Sequence, residues 1–197
     1  MRGPASGKGS DLGIQLAAMH RRTSNHFGWT RNNTIGATPQ INSTSSNWVD
    51  FWRTHRLGYQ LELAQRNGFN GKLQTLGEKL LMELDKLLTD TFPAASLLHG
   101  DLWSGNYGYD ERGNPVIFDP AVYYGDREAD MAMTELFGGF PADFYSAYRH
   151  EYPLDSGYNT RKIVYNLYHI LNHLNLFGSS YRPQAEQMMS VLLAEVR

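Results

Sequence analysis

The chain has 197 residues, of which 41% are hydrophobic and 19% charged, with a formal net charge of −2 and no cysteine. This composition is typical of a globular protein with a sizeable core, and it excludes disulfides, thiolate metal sites and a cysteine nucleophile. There is no basic excess for binding nucleic acid and no apolar run long enough for a membrane span, so we expect a cytoplasmic protein.

The first half of the chain predicts a linker, three helices and a long loop. Residues 1–10 are rich in Gly, Ser and Pro and are expected to form a flexible linker or an expression scar. Apolar residues at helical spacing predict helices over residues 11–22, 47–66 and 72–88. Residues 25–46, rich in Asn, Gly, Ser and Thr, predict a loop whose length suggests a functional role.

The second half of the chain predicts a few short strands and then four helices. Strands are expected near 96–100, 106–109 and 116–119, and a turn at 110–114 would join the last two as a hairpin. The helices are expected near residues 127–138, 141–150, 158–177 and 181–196. The pattern therefore predicts an α+β protein that is mostly helical, with one small β-hairpin.

Three oxygen-bearing side chains at this hairpin indicate phosphoryl transfer. Asp101, in a His-Gly-Asp sequence, precedes Asn106 by five positions, and Asp119 ends the next strand. Protein kinases use H-R-D-x-x-x-x-N and a later aspartate. Asp101 would orient an acceptor hydroxyl as catalytic base, while Asn106 and Asp119 would bind Mg²⁺ and, through it, ATP. Each residue alone is also typical of a turn or strand end; the joint spacing favours the functional interpretation.

Residues 97–106 and 119–130 closely resemble the fructosamine kinase (ketosamine-3-kinase) family, within the aminoglycoside phosphotransferase and choline kinase group. Further similar stretches lie at residues 133–141 and 168–178, so the resemblance extends from about residue 11 to the end. It implies a protein-kinase-like carboxy-terminal lobe over residues 11–197. It also implies transfer of the ATP γ-phosphate to a hydroxyl of a small-molecule or protein-linked fructosamine, as in protein deglycation.

The resemblance also suggests residues around the acceptor. Trp103 would either stack on the sugar or pack against the lobe. Asp130 is expected to accept hydrogen bonds from the loop that carries Asp101. The tentative substrate residues are His99, Trp103, Asn172 and His173. For His99, a role in shaping the loop is favoured over base chemistry. His169, Asn172, His173 and Asn175 share one helical stripe, which would line the acceptor pocket or form a structural cluster. The loop 25–46 would help to close over the substrate.

One departure from the family concerns the ATP-binding half of the site. Kinases of this type have an amino-terminal lobe with a phosphate-covering loop and a strand lysine. Residues 1–10 supply neither, because Gly7-Lys8-Gly9-Ser10 lacks the spacing of a phosphate loop. We therefore expect the amino-terminal ATP lobe to be absent, the chain alone to be weak or inactive, and an exposed apolar face to favour a dimer or a partner that supplies the lobe.

Two alternatives to a fructosamine kinase remain at this stage. The chain would be a non-catalytic remnant of the family that binds sugar-amines or a partner protein, or it would be a kinase for an aminoglycoside or choline. The intact Asp101, Asn106 and Asp119 argue against the first. Trp103 and the run of residues 119–125 argue against the second.

Overall fold

The computed structural model describes residues 8–88 and 93–196 and confirms the α+β class, with helices predominating. The helices are α1 Gly9–His20, α2 Trp48–Trp52, α3 Tyr59–Arg66, α4 Lys72–Leu88, α5 Glu128–Leu136, α6 Ala142–Glu151, α7 Tyr158–Phe177 and α8 Arg182–Glu195. The strands are β1 Thr23–Ser24, β2 Asn33–Ile35, β3 Thr38–Gln40, β4 Ala95–Leu98, β5 Tyr107–Tyr109, β6 Pro115–Ile117 and β7 Tyr123–Gly125. No helix within these residues combines the length and apolar character needed to span a bilayer.

The strands form three small antiparallel sheets. A three-stranded sheet has the order β1-β4-β7, and β2–β3 and β5–β6 are separate hairpins. In the larger sheet Leu97 pairs with Tyr124, so the chain leaving β4 lies beside the chain entering β7. The hairpin β5–β6 agrees with the predicted one. The loop with Asp101 is not carried by that hairpin alone, since it begins where β4 ends.

Helix α7 forms the centre of the larger hydrophobic core. Its 20 residues include twelve buried side chains, and it packs against α3, α5 and α8. Trp52 from α2 contacts Tyr165 and Tyr168 of α7 ring to ring. A buried ion pair ties α7 to α5, because Arg161 Nε donates to Glu128 Oε2 at 2.6 Å. This helix therefore fixes the frame on which the surrounding segments are placed.

The predicted helix over residues 47–66 is continuous but contains a π-helical turn. Asn47 caps it, its Oδ1 accepting the Asp50 N–H at 3.0 Å. Residues Arg53–Gly58 then form the π-helical turn, which widens the backbone. Only glycine fits at position 58, because a Cβ there would lie 2.5 Å from the carbonyl oxygen of Arg53. Helical periodicity alone predicted the extent of this helix but not its widened turn.

Two predictions for the amino-terminal half need correction. Residues 25–46 are not an unstructured loop: they contain the β2–β3 hairpin, and Phe27 bridges to Ser45. The polar composition was misleading because Asn and Gln side chains there bond within the protein. Helix α1 begins at Gly9, inside the expected linker 1–10, and the Ser10 N–H donates to Asp143 at 3.0 Å. The remainder of that segment, residues 1–7, lies outside the described residues.

Candidate functional site

The segment of residues 99–106, here called the loop 99–106, is held in place by hydrogen bonds to a buried carboxylate. The N–H groups of His99 and Gly100 donate to the two oxygens of Asp130 at 2.7 and 2.8 Å. Asp130 lies in the first turn of α5 and is buried. The predicted hydrogen bonds from this loop to Asp130 are thus confirmed.

Asp130 is itself supported by His20, for which the sequence alone indicated no role. His20 Nε2 donates to Asp130 at 3.1 Å, and His20 Nδ1 lies 2.7 Å from the Tyr148 hydroxyl. Burial alone would raise the pKa of Asp130, but its hydrogen bond with His20, the nearby imidazoles of His20 and His99, and the Gly100 N–H hold that pKa below its ordinary value. A single histidine at the end of a helix, 110 positions away in sequence, carried no signal for this contact.

Asp101 is a partly buried carboxylate in a strongly acidic environment. Its side chain is 21% exposed. Burial, and then the negative charges of Asp119 and Asp130, raise its pKa to about 6. Asp119 is thus near enough for its charge to act on the Asp101 carboxyl. A carboxylate with this pKa is still ionised at neutral pH and accepts a proton more readily than an ordinary aspartate.

Asn106 and Asp119 lie on neighbouring backbone segments. Asn106 is buried and its Nδ2 donates to the Asp101 carbonyl oxygen at 2.8 Å, which leaves its Oδ1 as the atom available to a cation. The Asn106 carbonyl accepts the N–H of Phe118 at 3.1 Å, so the residue before Asp119 is tied to Asn106. Asp119 has φ +57°, the left-handed conformation that aspartate adopts more readily than most residues. Its position two residues beyond β6 differs slightly from the predicted strand end.

At Gly100 the backbone of the loop 99–106 lies very close to the segment that follows Asp119. Gly100 has φ +85°, and a Cβ there would lie 2.1 Å from the Ala121 carbonyl oxygen. Any side chain would therefore push the segment after Asp119 away from the loop 99–106. The glycine of the His-Gly-Asp sequence is required by this contact.

The donor set at Asn106 and Asp119 fits a magnesium ion. Among the residues that the structure describes, no three His, Cys, Asp or Glu side chains gather in a metal-binding arrangement. A cation here would be bound by one carboxylate, one amide oxygen and ligands from outside the protein. Mg²⁺ is bound in this way when phosphate and water complete its shell.

The His99 ring is hydrogen-bonded within the protein and shapes the loop 99–106. Its Nδ1 accepts the Asp101 N–H at 3.2 Å, so its Nε2 carries the proton that is donated to the Phe118 carbonyl at 2.9 Å. The residue is 2% exposed. Both ring nitrogens are occupied inside the protein, which agrees with the favoured loop-shaping role and leaves neither for a substrate.

A cavity of about 410 Å³, here called the Asp101 cavity, adjoins Asp101. Its lining residues come from four separate parts of the chain: Gly36, Asp101, Trp103, Met133, Phe137, His169, Asn172, His173, Leu176, Phe177 and Tyr181. Met133, His169 and Asn172 are buried and form its floor. Gly36, Trp103 and Phe177 are exposed and form its mouth.

The predicted stripe on α7 divides between this cavity and the core. His169, Asn172 and His173 line the cavity, whereas Asn175 donates to Gln60 Oε1 at 2.8 Å. Gln60 in turn donates to Asn172 Oδ1 at 3.2 Å, so the Asn172 amide presents its NH₂ group to the cavity. Both predicted arrangements, a pocket wall and a structural cluster, are therefore present on one helix.

The aromatic and imidazole groups of the cavity are neutral and closely packed. His169 Nδ1 lies 3.9 Å from Asp101 Oδ1, and burial, followed by the proximity of His173, lowers the His169 pKa to about 3. His173 stacks on Phe137 with ring centroids 4.8 Å apart, and its buried Nδ1 has no partner in the described part of the chain. The imidazole as a whole forms part of the cavity wall. Trp103, 38% exposed, lies at the mouth rather than in the core.

A larger depression, about 830 Å³, lies beside α5 and α6 and contains none of the predicted site residues. Its lining includes Glu135, Tyr145 and Arg149. The Tyr145 hydroxyl is already bonded to the backbone of Thr134 and Phe140. Of these two depressions, the smaller one is lined by predicted site residues, Asp101 among them.

Comparison with known proteins identifies similar sequences and structures. The family model described as fructosamine kinase matches residues 3–195. A probable ketoamine kinase of Synechocystis sp. is 53% identical over 183 residues, and the chloroplastic protein-ribulosamine 3-kinase of Arabidopsis thaliana is 46% identical over 185. A crystal structure assigned as fructosamine-3-kinase from Thermobifida fusca matches with a TM-score of 0.89 at 34% identity.

The shared region is nearly all of this chain but only part of those proteins. It covers 92% of this chain and 61% of the Synechocystis protein, and 93% and 56% in the Arabidopsis comparison. For the Thermobifida fusca structure the shares are 98% and 67%. The chain thus spans less than two thirds of the length of these sequence relatives.

Proposed function

Because the chain belongs to the fructosamine kinase family, we propose that it carries the acceptor and metal-binding half of an ATP-dependent kinase for ketoamines. In this reaction a sugar hydroxyl attacks the γ-phosphorus of ATP, the bond to the leaving ADP oxygen breaks, and the hydroxyl proton passes to Asp101. The observation that supports this most directly is the position of Asp101. Its side chain lines the Asp101 cavity, and the charge of Asp119 contributes to its raised pKa.

Asp101 would orient the acceptor hydroxyl. A pKa of about 6 leaves the carboxylate ionised at neutral pH and able to accept a hydrogen bond. The contacts of Asp130 and His99 fix the backbone that leads into it. Since phosphoryl transfer depends mainly on alignment and electrostatic stabilisation, this rigidity is the main contribution expected from the loop.

Asn106 and Asp119 would hold Mg²⁺ together with the phosphates of ATP. When bound, the ion screens the charge of the triphosphate and of the leaving group. The chain prepares this site by fixing the Asn106 amide through the Asp101 carbonyl. These two residues would thereby also form part of the nucleotide site.

The acceptor sugar would occupy the Asp101 cavity, whether the ketoamine is a small molecule or part of a protein. Asn172 offers an NH₂ donor, His173 an imidazole in the cavity wall, and Trp103 a flat surface at the mouth. A sugar presents hydroxyls to such polar groups and C–H faces to aromatic rings. We keep these three as proposed substrate contacts and assign His99 to the loop instead.

We further propose that this chain corresponds to the carboxy-terminal lobe of its longer relatives. In support, the region shared with them leaves more than a third of the Synechocystis protein unmatched. A lysine for the α- and β-phosphates would then come from residues other than those described here. Phosphoryl transfer by this chain alone is expected to be slow, and a dimer or partner that supplies these groups would raise it.

The proposal is tested by single-turnover phosphoryl transfer at high protein concentration. The chain would be incubated with ATP, Mg²⁺ and either fructosyl-lysine or ribulosyl-lysine, and the phosphorylated sugar followed by ³¹P NMR. We expect product formation that falls about 10²–10⁴-fold in Asp101→Asn. The exposed Asp85, replaced by Asn, is the matched control and should not change the rate.

Two results would contradict the proposal. One is equal rates for the wild type and Asp101→Asn. The other is a folded chain that neither binds nor phosphorylates any ketoamine, which would instead support the non-catalytic alternative with a different ligand.

A further inference from the structure

The β2–β3 hairpin forms one side of the Asp101 cavity. Its tip residue Gly36 lines the cavity, opposite the carboxy-terminal end of α7. Residues 25–46 were expected to help to close over the substrate. Side-chain hydrogen bonds hold the hairpin within this segment in place.

Side-chain amides tie the hairpin to the catalytic segment and to α7. Gln40 Nε2 donates to the Ala121 carbonyl at 2.9 Å, and Gln40 Oε1 accepts the Tyr168 hydroxyl at 2.8 Å. Asn33, which pairs with Gln40 across the hairpin, donates to the Val122 carbonyl at 2.8 Å. The hairpin is therefore bonded to the backbone just after Asp119 and to the helix that forms the cavity floor.

A buried arginine fixes the end of the hairpin. Arg56 is fully buried above the ring of Tyr123, at 4.0 Å from its centroid. Its guanidinium donates to the Ile41 carbonyl at 2.7 Å and to Asn42 Oδ1 at 2.8 Å, both uncharged acceptors. The side-chain NH₂ of Asn42 in turn donates a hydrogen bond to Asn33 Oδ1 at 2.8 Å. Because buried polar groups are costly to separate from their partners, this network disfavours movement of the hairpin.

Gly36 leaves open the space between the hairpin tip and α7. It has φ +55°, and a Cβ built on it would meet only the Leu176 Cδ1 atom, at 3.4 Å. A longer side chain at position 36 would therefore extend toward Leu176. Since both residues line the Asp101 cavity, that side chain would narrow the cavity between two rigid elements.

The exposed residues show where a bound molecule would leave the cavity. Phe177, next to Leu176, is 65% exposed, whereas the Asp101 side chain is 21% exposed. A sugar placed with its hydroxyl at Asp101 would direct its amine substituent toward Gly36 and Phe177. The width of this mouth limits the size of the substituent that can pass.

We propose that Gly36 and Leu176 determine acceptor size by setting the gap through which the amine substituent leaves the Asp101 cavity. This inference rests on the proposed ketoamine function and adds a specificity determinant to it. A fixed wall limits the size of the substituent that can pass. The glycine at its tip keeps the gap wide enough for a ketoamine on a lysine side chain within a polypeptide.

The test compares binding of two acceptors by the purified chain. Dissociation constants for fructosyl-methylamine and for a peptide with one central fructosyl-lysine would be measured by calorimetry or ligand-observed NMR. Gly36→Asn is the first variant, because asparagine tolerates positive φ. We expect at least tenfold weaker peptide binding with less than threefold change for the small acceptor. Gly71→Asn, also at positive φ (+75°) with no atom within 4 Å of a built Cβ, is the matched control.

Leu176→Phe narrows the same gap from the α7 side without altering a positive-φ residue, so it keeps the test available if Gly36→Asn folds poorly. Leu176→Phe should also weaken binding of the peptide while changing binding of the small acceptor little. Equal effects on both acceptors, or no effect of either variant, would overturn the inference while leaving the proposed function intact. Failure of the wild-type chain to bind either ketoamine would overturn both.

Discussion

Asp101 shows how one residue's environment follows from its neighbours. The loop 99–106 places its carboxylate near two other aspartates, and partial burial removes much of the solvent that would stabilise its charge. These factors raise its pKa to about 6 from an ordinary value of 3.8. The native protein therefore tolerates an unfavourable charge at the position where a base is proposed.

This environment predicts that Asp101→Asn stabilises the metal-free protein at neutral pH. Between pH 3.8 and about 6 the native state binds the Asp101 proton more tightly than the unfolded chain does. The contribution of Asp101 to stability is thus fully present below pH 3.8 and is lost as pH rises through 6. We expect the variant to gain about 1–3 kcal/mol in unfolding free energy at pH 7, by urea titration, and nothing near pH 3.5. A loss of stability at pH 7 would show that the carboxylate is instead favourably paired.

Residues close in sequence were predictable, and residues joined only by the fold were not. The spacing of Asp101, Asn106 and Asp119 is local, because one loop and one hairpin separate them. His20 reaches the same site from more than 60 positions away, through the packing of α1. No periodicity or motif in one sequence encodes such distances.

At the scale of elements, the support of the loop 99–106 by α1 is the clearest example. Replacing His20 by Phe keeps a ring of similar size but removes the donor to Asp130. We expect a loss of about 1–3 kcal/mol in stability, because a buried carboxylate loses a partner. Hydrogen exchange should also accelerate at the His99 and Gly100 amides more than at amides of α7.

Leu16→Ala provides the control for this prediction. Leu16 is buried in the same helix but is not bonded to Asp130. The variant should lower stability without a selective effect on the loop. If His20→Phe and Leu16→Ala gave the same exchange pattern, the His20 contact would have no specific function in holding the loop.

Long helices were predicted well because their apolar residues repeat over several turns. The α4 bounds, Lys72–Leu88, match the expected 72–88. Strands of two or three residues, such as β1 and β7, lack enough positions for a period-2 pattern and depend on pairing with β4. The π-helical turn at Arg53–Gly58 depends on backbone geometry that composition does not reveal.

At the scale of the whole molecule, stability depends on contacts between α5 and α7. The Glu128–Arg161 pair is buried, with side chains 1% and 3% exposed. Arg161→Met should cost about 3–5 kcal/mol, measured by chemical denaturation, because Glu128 would remain as an uncompensated buried charge. Adding Glu128→Gln should recover most of that loss.

The exposed pair of Lys86 and Glu83 is the control for the buried pair. Lys86 is 61% exposed, so Lys86→Met should change stability by less than about 1 kcal/mol.

If the double variant at positions 128 and 161 were as unstable as Arg161→Met alone, lost packing rather than the buried charge would explain the effect.

The Asp101 cavity also depends on the fold of the whole molecule, because it forms where the β2–β3 hairpin, the loop 99–106, α5 and α7 meet. The sequence indicated its chemistry, through the resemblance and the α7 stripe. Its shape required the three-dimensional arrangement, since Met133, Phe137 and Tyr181 had no assigned role before it.

The proposed binding of one cation by Asn106 and Asp119 is tested most directly by anomalous diffraction from crystals of the chain grown with Mn²⁺ and a non-hydrolysable ATP analogue. We predict a manganese peak within about 2.5 Å of Asn106 Oδ1 and an Asp119 carboxylate oxygen, with the γ-phosphate of the analogue directed toward Asp101. Manganese bound elsewhere on the chain, with these two side chains turned away from the nucleotide, would contradict the proposed site.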